Sequence, residues 1–187
     1  MKKVMLDIDG VLNDFPKTFI NFCNNKLNTN FLTIEEVEKK LSYNLYRKLK
    51  KEYKFSDYKH KAKIKFFAKE LVNYLKKENY LIYIVTAREL FEKNQLDLTI
   101  SWLKENEINY DFLDYEEQKE LSILEKFHHF DIVIEDTLKN IINIKNVNGN
   151  ALYFYVNENN LKYDNIINVE NLKQIKDFLE GEKTNEI

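Results

Sequence analysis

The chain has 187 residues, of which 44% are hydrophobic and 32% charged, and its formal net charge is −2. This length allows one substantial core with a small inserted module, and the near balance of charge favours neither nucleic-acid nor membrane binding. The single cysteine, Cys23, excludes an internal disulfide and a multi-cysteine metal site and fits a reducing compartment.

The first predicted element is a short buried strand that starts near residue 4 and is closed by a turn at Gly10. Asp7 and Asp9 interrupt its apolar residues at a spacing of two. Carboxylates are costly to bury, and open α/β sheets place their ligands at the carboxyl ends of strands. On the residues alone, two interpretations are open: a pair of acids that share a divalent cation, or aspartates that cap a helix or form a turn.

The region after this strand is predicted to be helical. Aromatic residues at helical spacing predict a helix over residues 15–28, and a capping box formed by Thr33 and Glu36 predicts the start of another. A long helix is predicted over residues 57–77, where apolar residues again recur at helical spacing.

Strands and helices then alternate to the end of the chain. Further strands are predicted at 80–85, 110–113, 131–134, 151–156 and 166–169, and helices at 91–106, 116–127, 138–147 and 170–179. This alternation predicts an α/β fold with a parallel sheet of five or six strands. Roughly seventy residues separate the first two strands, far more than a simple crossover needs. We therefore expect a helical insertion at 14–61 in a core formed by 1–13 and 62–187.

Three of the predicted strands end in polar residues: Asp7 and Asp9, then Thr86, then Glu135 and Asp136. Parallel strands bring such ends to one edge of the sheet. Carboxylates together with a hydroxyl suit a hard cation with oxygen ligands, Mg²⁺ above all. The sequence therefore predicts a magnesium site at this edge.

These residues, in this order, resemble the motifs of the haloacid-dehalogenase-like (HAD) phosphohydrolases. The resemblance rests on Asp7-Ile8-Asp9-Gly10-Val11 as the first motif, Thr86 as the second, Lys119 as the third and Glu135-Asp136 as the fourth. It implies a three-layer Rossmann-like core with a small helical cap after the first strand. Lys104 and Lys126 are alternatives to Lys119.

The resemblance also implies a mechanism of phosphomonoester hydrolysis. Asp7 would attack phosphorus and form an aspartyl-phosphate, and Asp9 would act as general acid and then general base. Mg²⁺ would be held by Asp7, the Asp9 backbone carbonyl and Asp136.

Other residues would support these steps. Thr86, the backbone of Ala87, and Lys119 would bind the phosphate, and Lys119 would also hold Asp7 ionised. Glu135 and Asn140 would orient metal-bound water. For Arg88, contact with the substrate and an ion pair with Glu92 are both open.

A narrower resemblance concerns the substrate. Residues 7–15 resemble the start of the 5'(3')-deoxyribonucleotidase branch, although Glu135-Asp136 replaces that branch's usual paired aspartates. The resemblance implies a nucleotide substrate, with Phe15 among the aromatics that could stack on the base. Aromatic residues at helical spacing more often pack in the core, which is the other interpretation of Phe15. A sugar phosphate or another small phosphometabolite is the alternative substrate.

The predicted insertion and the helix after it raise a non-enzymatic alternative. Residues 39–77 carry fourteen Lys and Arg side chains against three acidic ones, and tyrosines are interleaved with them. A basic cluster at Arg47, Lys48, Lys50 and Lys51 could bind nucleic acid, steer anionic substrates or simply form solvated helix faces. We expect a small phosphorylated molecule as the partner rather than nucleic acid. No apolar run reaches the ~18 residues of a membrane span, and no secretory signal is visible, so a cytoplasmic protein is expected.

Overall fold

The computed structural model describes residues 1–88, 93–157 and 163–185. Within them, six parallel strands form one sheet with the order β3-β2-β1-β4-β5-β6. The strands are β1 (Lys3–Leu6), β2 (Leu81–Thr86), β3 (Phe112–Tyr115), β4 (Ile132–Glu135), β5 (Leu152–Val156) and β6 (Ile167–Val169). The predicted α/β fold with a parallel sheet of five or six strands is confirmed.

Helices cover both faces of the sheet. They are α1 (Lys17–Leu27), α2 (Ile34–Lys40), α3 (Tyr43–Lys54), α4 (Asp57–His60), α5 (Ala68–Lys77), α6 (Lys93–Glu105), α7 (Lys119–Leu121), α8 (Leu138–Asn148) and α9 (Leu172–Asn185), and a π-helical turn (Ser122–Phe127) continues α7. Helices α5, α6 and α9 pack on one face, while the π-helical turn and α8 pack on the other. Both faces of each central strand are therefore apolar, as is usual in a covered parallel sheet.

Helices α1 to α4 lie between β1 and α5 in the chain and have an apolar cluster of their own. Phe19, Phe22, Val37, Leu49 and Tyr53 are buried in that cluster, separately from the two sheet faces. We refer to residues 14–61 as the insertion. The division of the chain into a core and a cap at these boundaries stays a prediction.

The prediction of one long helix over residues 57–77 is wrong. The chain forms the short α4, leaves the helix at Lys61 and begins α5 only at Ala68. Between them, Ile64 forms an antiparallel bridge with Asn13. The Lys65 amide also donates to the Leu12 carbonyl at 2.8 Å. The insertion must return beside the segment from which it departs, and these long-range hydrogen bonds replace the local helical ones.

The strand predicted at 110–113 is also displaced, because β3 begins at Phe112 and ends at Tyr115. Its register is determined by pairing with β2, where Tyr83 lies opposite Phe112 and Thr86 opposite Tyr115. No helix in the described parts of the chain is long and apolar enough to cross a membrane.

The order of the strands indicates where a ligand can bind. From β1 the chain moves outward through β2 and β3, and it then returns to place β4 on the other side of β1. In open parallel sheets, ligands bind outside the carboxyl ends of the strands at such a reversal. Here those ends belong to β1, which precedes Asp7 and Asp9, and to β4, which ends at Glu135 directly before Asp136.

Candidate active site

The loop after β1 is held tightly against β4. The Asp7 amide donates to the Ile134 carbonyl of β4 at 3.2 Å. Within the loop, the Leu12 amide donates to the Ile8 carbonyl at 2.9 Å. Gly10 between them has a φ of +87°, and a Cβ placed on it would lie 1.8 Å from Oδ2 of Asp136. The close approach of this loop to Asp136 therefore requires glycine.

Three carboxylates meet at the reversal point of the sheet. Oxygen atoms of Asp7, Glu135 and Asp136 lie within 4.8 Å of one another. Asp7 and Glu135 are buried, and Asp136 is half-buried. An all-oxygen set of this kind fits a hard divalent cation such as Mg²⁺. The structure thus brings together the two side chains, Asp7 and Asp136, that the sequence predicted as ligands.

Lys119 lies within this acidic group. Its side chain is only 1% exposed, and its Nζ is 2.9 Å from Oδ1 of Asp7 and 2.5 Å from Oε2 of Glu135. The other oxygen of Glu135 accepts hydrogen bonds from the Thr137 amide at 3.1 Å and from Nδ2 of Asn140 at 3.2 Å. Glu135 therefore links Lys119 to the start of α8.

The electrostatics of the acidic group favour a bound cation. Burial raises the pKa of Asp7 to about 7; the Lys119 ammonium opposes this rise, and repulsion from Glu135 and Asp9 adds to it. Burial, together with the charges of Glu135 and Asp7, raises the pKa of Asp136 well above its ordinary value. Lys119 thus acts on Asp7 in the predicted direction, but burial outweighs it. A divalent cation would offset the repulsion that adds to the effect of burial on both pKa values.

Asp9 lies among a different set of partners. Arg88 contacts both of its oxygens, with Nη2 2.7 Å from Oδ1 and Nε 3.1 Å from Oδ2. Nζ of Lys59 is 2.6 Å from Oδ2, and Nδ2 of Asn13 donates to Oδ1 at 2.8 Å. Burial acts to raise the pKa of Asp9, but Arg88 and Lys59 outweigh it and hold this pKa well below its ordinary value.

The two cations that contact Asp9 come from different parts of the chain. Arg88 follows β2, is 3% exposed, and also donates through Nη1 to Oγ1 of Thr99 in α6 at 3.3 Å. Lys59 belongs to α4 of the insertion, and its side chain is 10% exposed. Glu92, the alternative partner of Arg88, lies outside the described residues.

Sequence reasoning missed Lys59 and the side-chain role of Asn13. Nothing local distinguishes Lys59 from the other basic residues around it. Asn13 is fully buried, and its Oδ1 accepts hydrogen bonds from the Gly10 and Phe15 amides at 3.2 and 3.1 Å. An asparagine three residues after a turn glycine is a signal that could have identified it, because such side chains often bond nearby backbone.

The remaining predicted residues lie at three kinds of position. Thr86 is buried at the carboxyl end of β2, next to β1 in the sheet, and Ala87 after it is exposed. Phe15 is half-buried and packs on Phe19 and Tyr53, with ring centroids 6.4 Å apart in each case. Packing within the insertion is thus the interpretation of Phe15 that these contacts favour.

The basic cluster on α3 differs in burial from one residue to the next. Arg47, Lys48 and Lys51 are exposed, whereas Lys50 is half-buried with its Nζ 5.0 Å from the centre of the Tyr46 ring. Arg47 lies three and four residues before Lys50 and Lys51, and Lys48 lies three before Lys51, so these side chains share one side of the helix.

Comparison with known proteins identifies the fold of this chain through solved structures, not through its sequence. No protein-family model matches the sequence, and no curated protein matches it. Among solved structures, a putative β-phosphoglucomutase from Thermotoga maritima is similar, with 14% identity, a TM-score of 0.64, and coverage of 97% of this chain and 99% of that one.

Two further solved structures contain magnesium. A putative HAD-hydrolase from Bacillus subtilis, bound to magnesium, is 13% identical with a TM-score of 0.63 over 96% of this chain and 98% of that one. A D,D-heptose 1,7-bisphosphate phosphatase from B. bronchiseptica, complexed with magnesium and phosphate, is 12% identical with a TM-score of 0.55, covering 97% and 99%. The chain therefore has the fold of the HAD-superfamily hydrolases.

Proposed function

We propose that this protein is a magnesium-dependent phosphomonoester hydrolase. The observation that carries the proposal is the environment of Asp7. This one carboxylate contacts the buried Lys119 and lies within 4.8 Å of Glu135 and Asp136, at the reversal point of the sheet. The shared fold with HAD-superfamily hydrolases supports it.

In the proposed reaction, an oxygen of Asp7 attacks phosphorus, the bond to the leaving oxygen breaks, and an aspartyl-phosphate forms. Lys119, which remains an ammonium between its two carboxylates, would neutralise phosphate charge. Asp7, Asp136 and the Asp9 backbone carbonyl would hold Mg²⁺. When bound, Mg²⁺ supplies positive charge that offsets repulsion between an anionic nucleophile and an anionic phosphate.

Asp9 would give a proton to the leaving oxygen and later take one from the water that cleaves the aspartyl-phosphate. Thr86 and the Ala87 amide would hydrogen-bond the phosphoryl oxygens. Arg88 and Lys59 now hold the pKa of Asp9 well below its ordinary value. We expect the substrate to draw these cations toward itself as it binds, which would free Asp9 to carry a proton.

For the substrate, we propose a small phosphorylated metabolite. A deoxyribonucleotide follows from the resemblance of residues 7–15, whereas two similar solved structures are a sugar bisphosphate phosphatase and a putative phosphoglucomutase. Phe15 packs on Phe19 and Tyr53, which weakens the argument that its ring stacks on a nucleotide base. The 5'-nucleotidase and sugar-phosphatase proposals are separated by a turnover screen across deoxynucleotides, ribonucleotides and sugar phosphates.

The reaction type is tested with p-nitrophenyl phosphate. The protein should release phosphate with Mg²⁺ and lose this activity in EDTA, and Asp7→Asn should abolish it. The control is Asp177→Asn, because Asp177 pairs only with a surface lysine of its own helix among the described contacts. Turnover that survives Asp7→Asn would rule out the covalent mechanism, and turnover that survives EDTA would rule out the metal.

The nucleic-acid alternative is tested separately. Replacing Arg47, Lys48, Lys50 and Lys51 with glutamine should leave phosphatase activity within a few-fold. Salt-sensitive oligonucleotide binding that disappears in this variant, with no phosphatase activity in the parent protein, would favour the binding module instead.

A further inference from the structure

Two buried cations share one carboxylate beside the proposed nucleophile. Lys59 lies 2.6 Å from Oδ2 of Asp9, and Arg88 contacts both oxygens of that residue. Among the described residues, Asp9 is the carboxylate that both cations contact. A buried cation is costly unless an anion pairs with it. Asp9, Lys59 and Arg88 together therefore carry one more positive than negative charge, with the two cations at most 10% exposed and Asp9 20% exposed.

We infer that Lys59 and Arg88 form a subsite for a second anionic group of the substrate, either a phosphate or a carboxylate. The excess charge is the first argument. The second is shape: Arg88 already holds a carboxylate through Nε and Nη2, and the same planar fork fits a carboxylate or phosphate oxygen pair.

The position of the subsite follows from the proposed function, on which this inference rests. Asp9 would face the leaving oxygen, so the cations that contact Asp9 border the leaving group. Asp7, Lys119 and Glu135 form the other contact set, on the side where phosphorus would bind. The second anion is thus expected on the leaving group, separate from the phosphate that is hydrolysed.

The subsite is assembled from two parts of the chain. Lys59 comes from α4 of the insertion, while Arg88 follows β2 and is held by Thr99 of α6. An anion between them would join the insertion to the sheet edge. Substrates with a second anion would gain binding energy that helps to position the phosphate for attack.

This assignment defines a class of substrate. It favours phosphomonoesters that carry a further phosphate or carboxylate, such as sugar bisphosphates, nucleoside bisphosphates and phosphorylated acids. Simple nucleoside monophosphates and sugar monophosphates lack that group and would be turned over less efficiently.

The test uses two matched substrate pairs with Mg²⁺. Fructose 1,6-bisphosphate is compared with fructose 6-phosphate for a second phosphate, and 3-phosphoglycerate with glycerol 3-phosphate for a carboxylate. Each is measured with the parent protein, Lys59→Met, Lys59→Arg and the control Lys61→Met. Lys61 is exposed and pairs with Asp57 at the start of α4.

In at least one pair, the parent protein should prefer the doubly anionic member in kcat/KM by about tenfold or more, as a charge-assisted contact predicts. The pair that shows the preference identifies the anion. The ratio should fall to about threefold or less in Lys59→Met, while Lys59→Arg and Lys61→Met should keep it.

Two results would overturn the subsite: no preference in either pair for the parent protein, or a preference that Lys59→Met retains. Calorimetric binding of the same four compounds gives a readout that does not need turnover. Absence of any phosphatase activity would contradict the proposed function, whereas equal binding within both pairs would contradict the subsite alone. Because the comparison begins with the parent protein, it does not depend on the folding of a variant.

Discussion

Gly10 occupies the most constrained position in the loop after β1. Its φ of +87° lies in the left-handed region, and Asp136 fills the place that a Cβ would occupy. Gly149 also has a positive φ, of +68°, but nothing lies within 4 Å of where its Cβ would be. Substitutions at both glycines strain the backbone, but only a substitution at Gly10 also clashes with Asp136. Comparing the two therefore distinguishes strain from the steric effect on the site.

Gly10→Ala should lower the free energy of unfolding by about 1–3 kcal/mol and displace Asp136, with a fall in Mg²⁺-dependent phosphatase activity of about tenfold or more. Gly149→Ala, with strain alone, should lower stability by about 1 kcal/mol and leave activity unchanged. Urea unfolding and turnover of p-nitrophenyl phosphate measure both. Equal losses of activity in the two variants would contradict the steric explanation.

Lys119 is the buried cation that pairs with both Asp7 and Glu135. Lys119→Met would leave Asp7 and Glu135 buried without their cation, and such a change costs about 3–5 kcal/mol. We expect a loss of stability of this order in urea unfolding and a loss of activity of about a hundredfold or more. Adding Glu135→Gln should recover part of the stability and none of the activity.

Lys126→Met is the matched control for Lys119→Met. Lys126 pairs with Asp114 at 2.8 Å, but its side chain is 37% exposed, so the change should cost about 1 kcal/mol or less. Similar costs for the two lysine variants would show that burial of Lys119 does not determine its contribution.

At the scale of elements, the return of the chain from the insertion controls the position of Lys59. The return segment is held to β1's loop by the bridge between Asn13 and Ile64. It is also held to α6, where Nε1 of Trp102 donates to the Ala62 carbonyl at 2.8 Å. Trp102 is buried, so this hydrogen bond is shielded from water.

Trp102→Phe should lower the free energy of unfolding by about 1–3 kcal/mol, because it leaves a carbonyl without its donor and removes ring contacts. It should also reduce the preference for doubly anionic substrates, since Lys59 lies only three residues before Ala62. Urea unfolding and the substrate pairs described above measure the two effects. An unchanged unfolding midpoint would show that this contact does not anchor the insertion.

For the whole molecule, the acidic group links stability to pH and to metal. The pKa of Asp7 rises on folding from 3.8 to about 7, so the folded state holds its proton more tightly. The stability that this proton confers is complete below about pH 4 and is lost as the pH rises through about 7. Asp9, whose pKa is lowered, contributes stability that is lost only as the pH falls below about 4.

In EDTA, the thermal unfolding temperature should therefore fall between pH 5 and pH 8, and Mg²⁺ should reverse the fall, because the cation stabilises the ionised carboxylates. The stabilisation by Mg²⁺ should grow with pH across this window. Asp7→Asn should weaken the dependence in EDTA, and Asp136, whose pKa burial also raises, should account for the part that remains. A stabilisation by Mg²⁺ that is the same at pH 5 and pH 8 would contradict the link to Asp7.

Local sequence patterns determined the α/β class, most strand and helix positions, and the polar residues at or just after the carboxyl ends of β1, β2 and β4. Such patterns suffice because apolar periodicity reports which faces are buried, and parallel strands bring their carboxyl ends to one edge. Glu135 was expected as a supporting residue, but its double contact with Lys119 and Asn140 could not be inferred from its position in the sequence.

Only the tertiary structure decided which charged side chains meet. Lys59 and Asp9 lie fifty residues apart in the chain and 2.6 Å apart in space. The break between α4 and α5 was hidden for the same reason, since the hydrogen bonds that replace the helix there are long-range. A lysine-rich stretch offers many equivalent cations, and only the folded path of the insertion selects one of them.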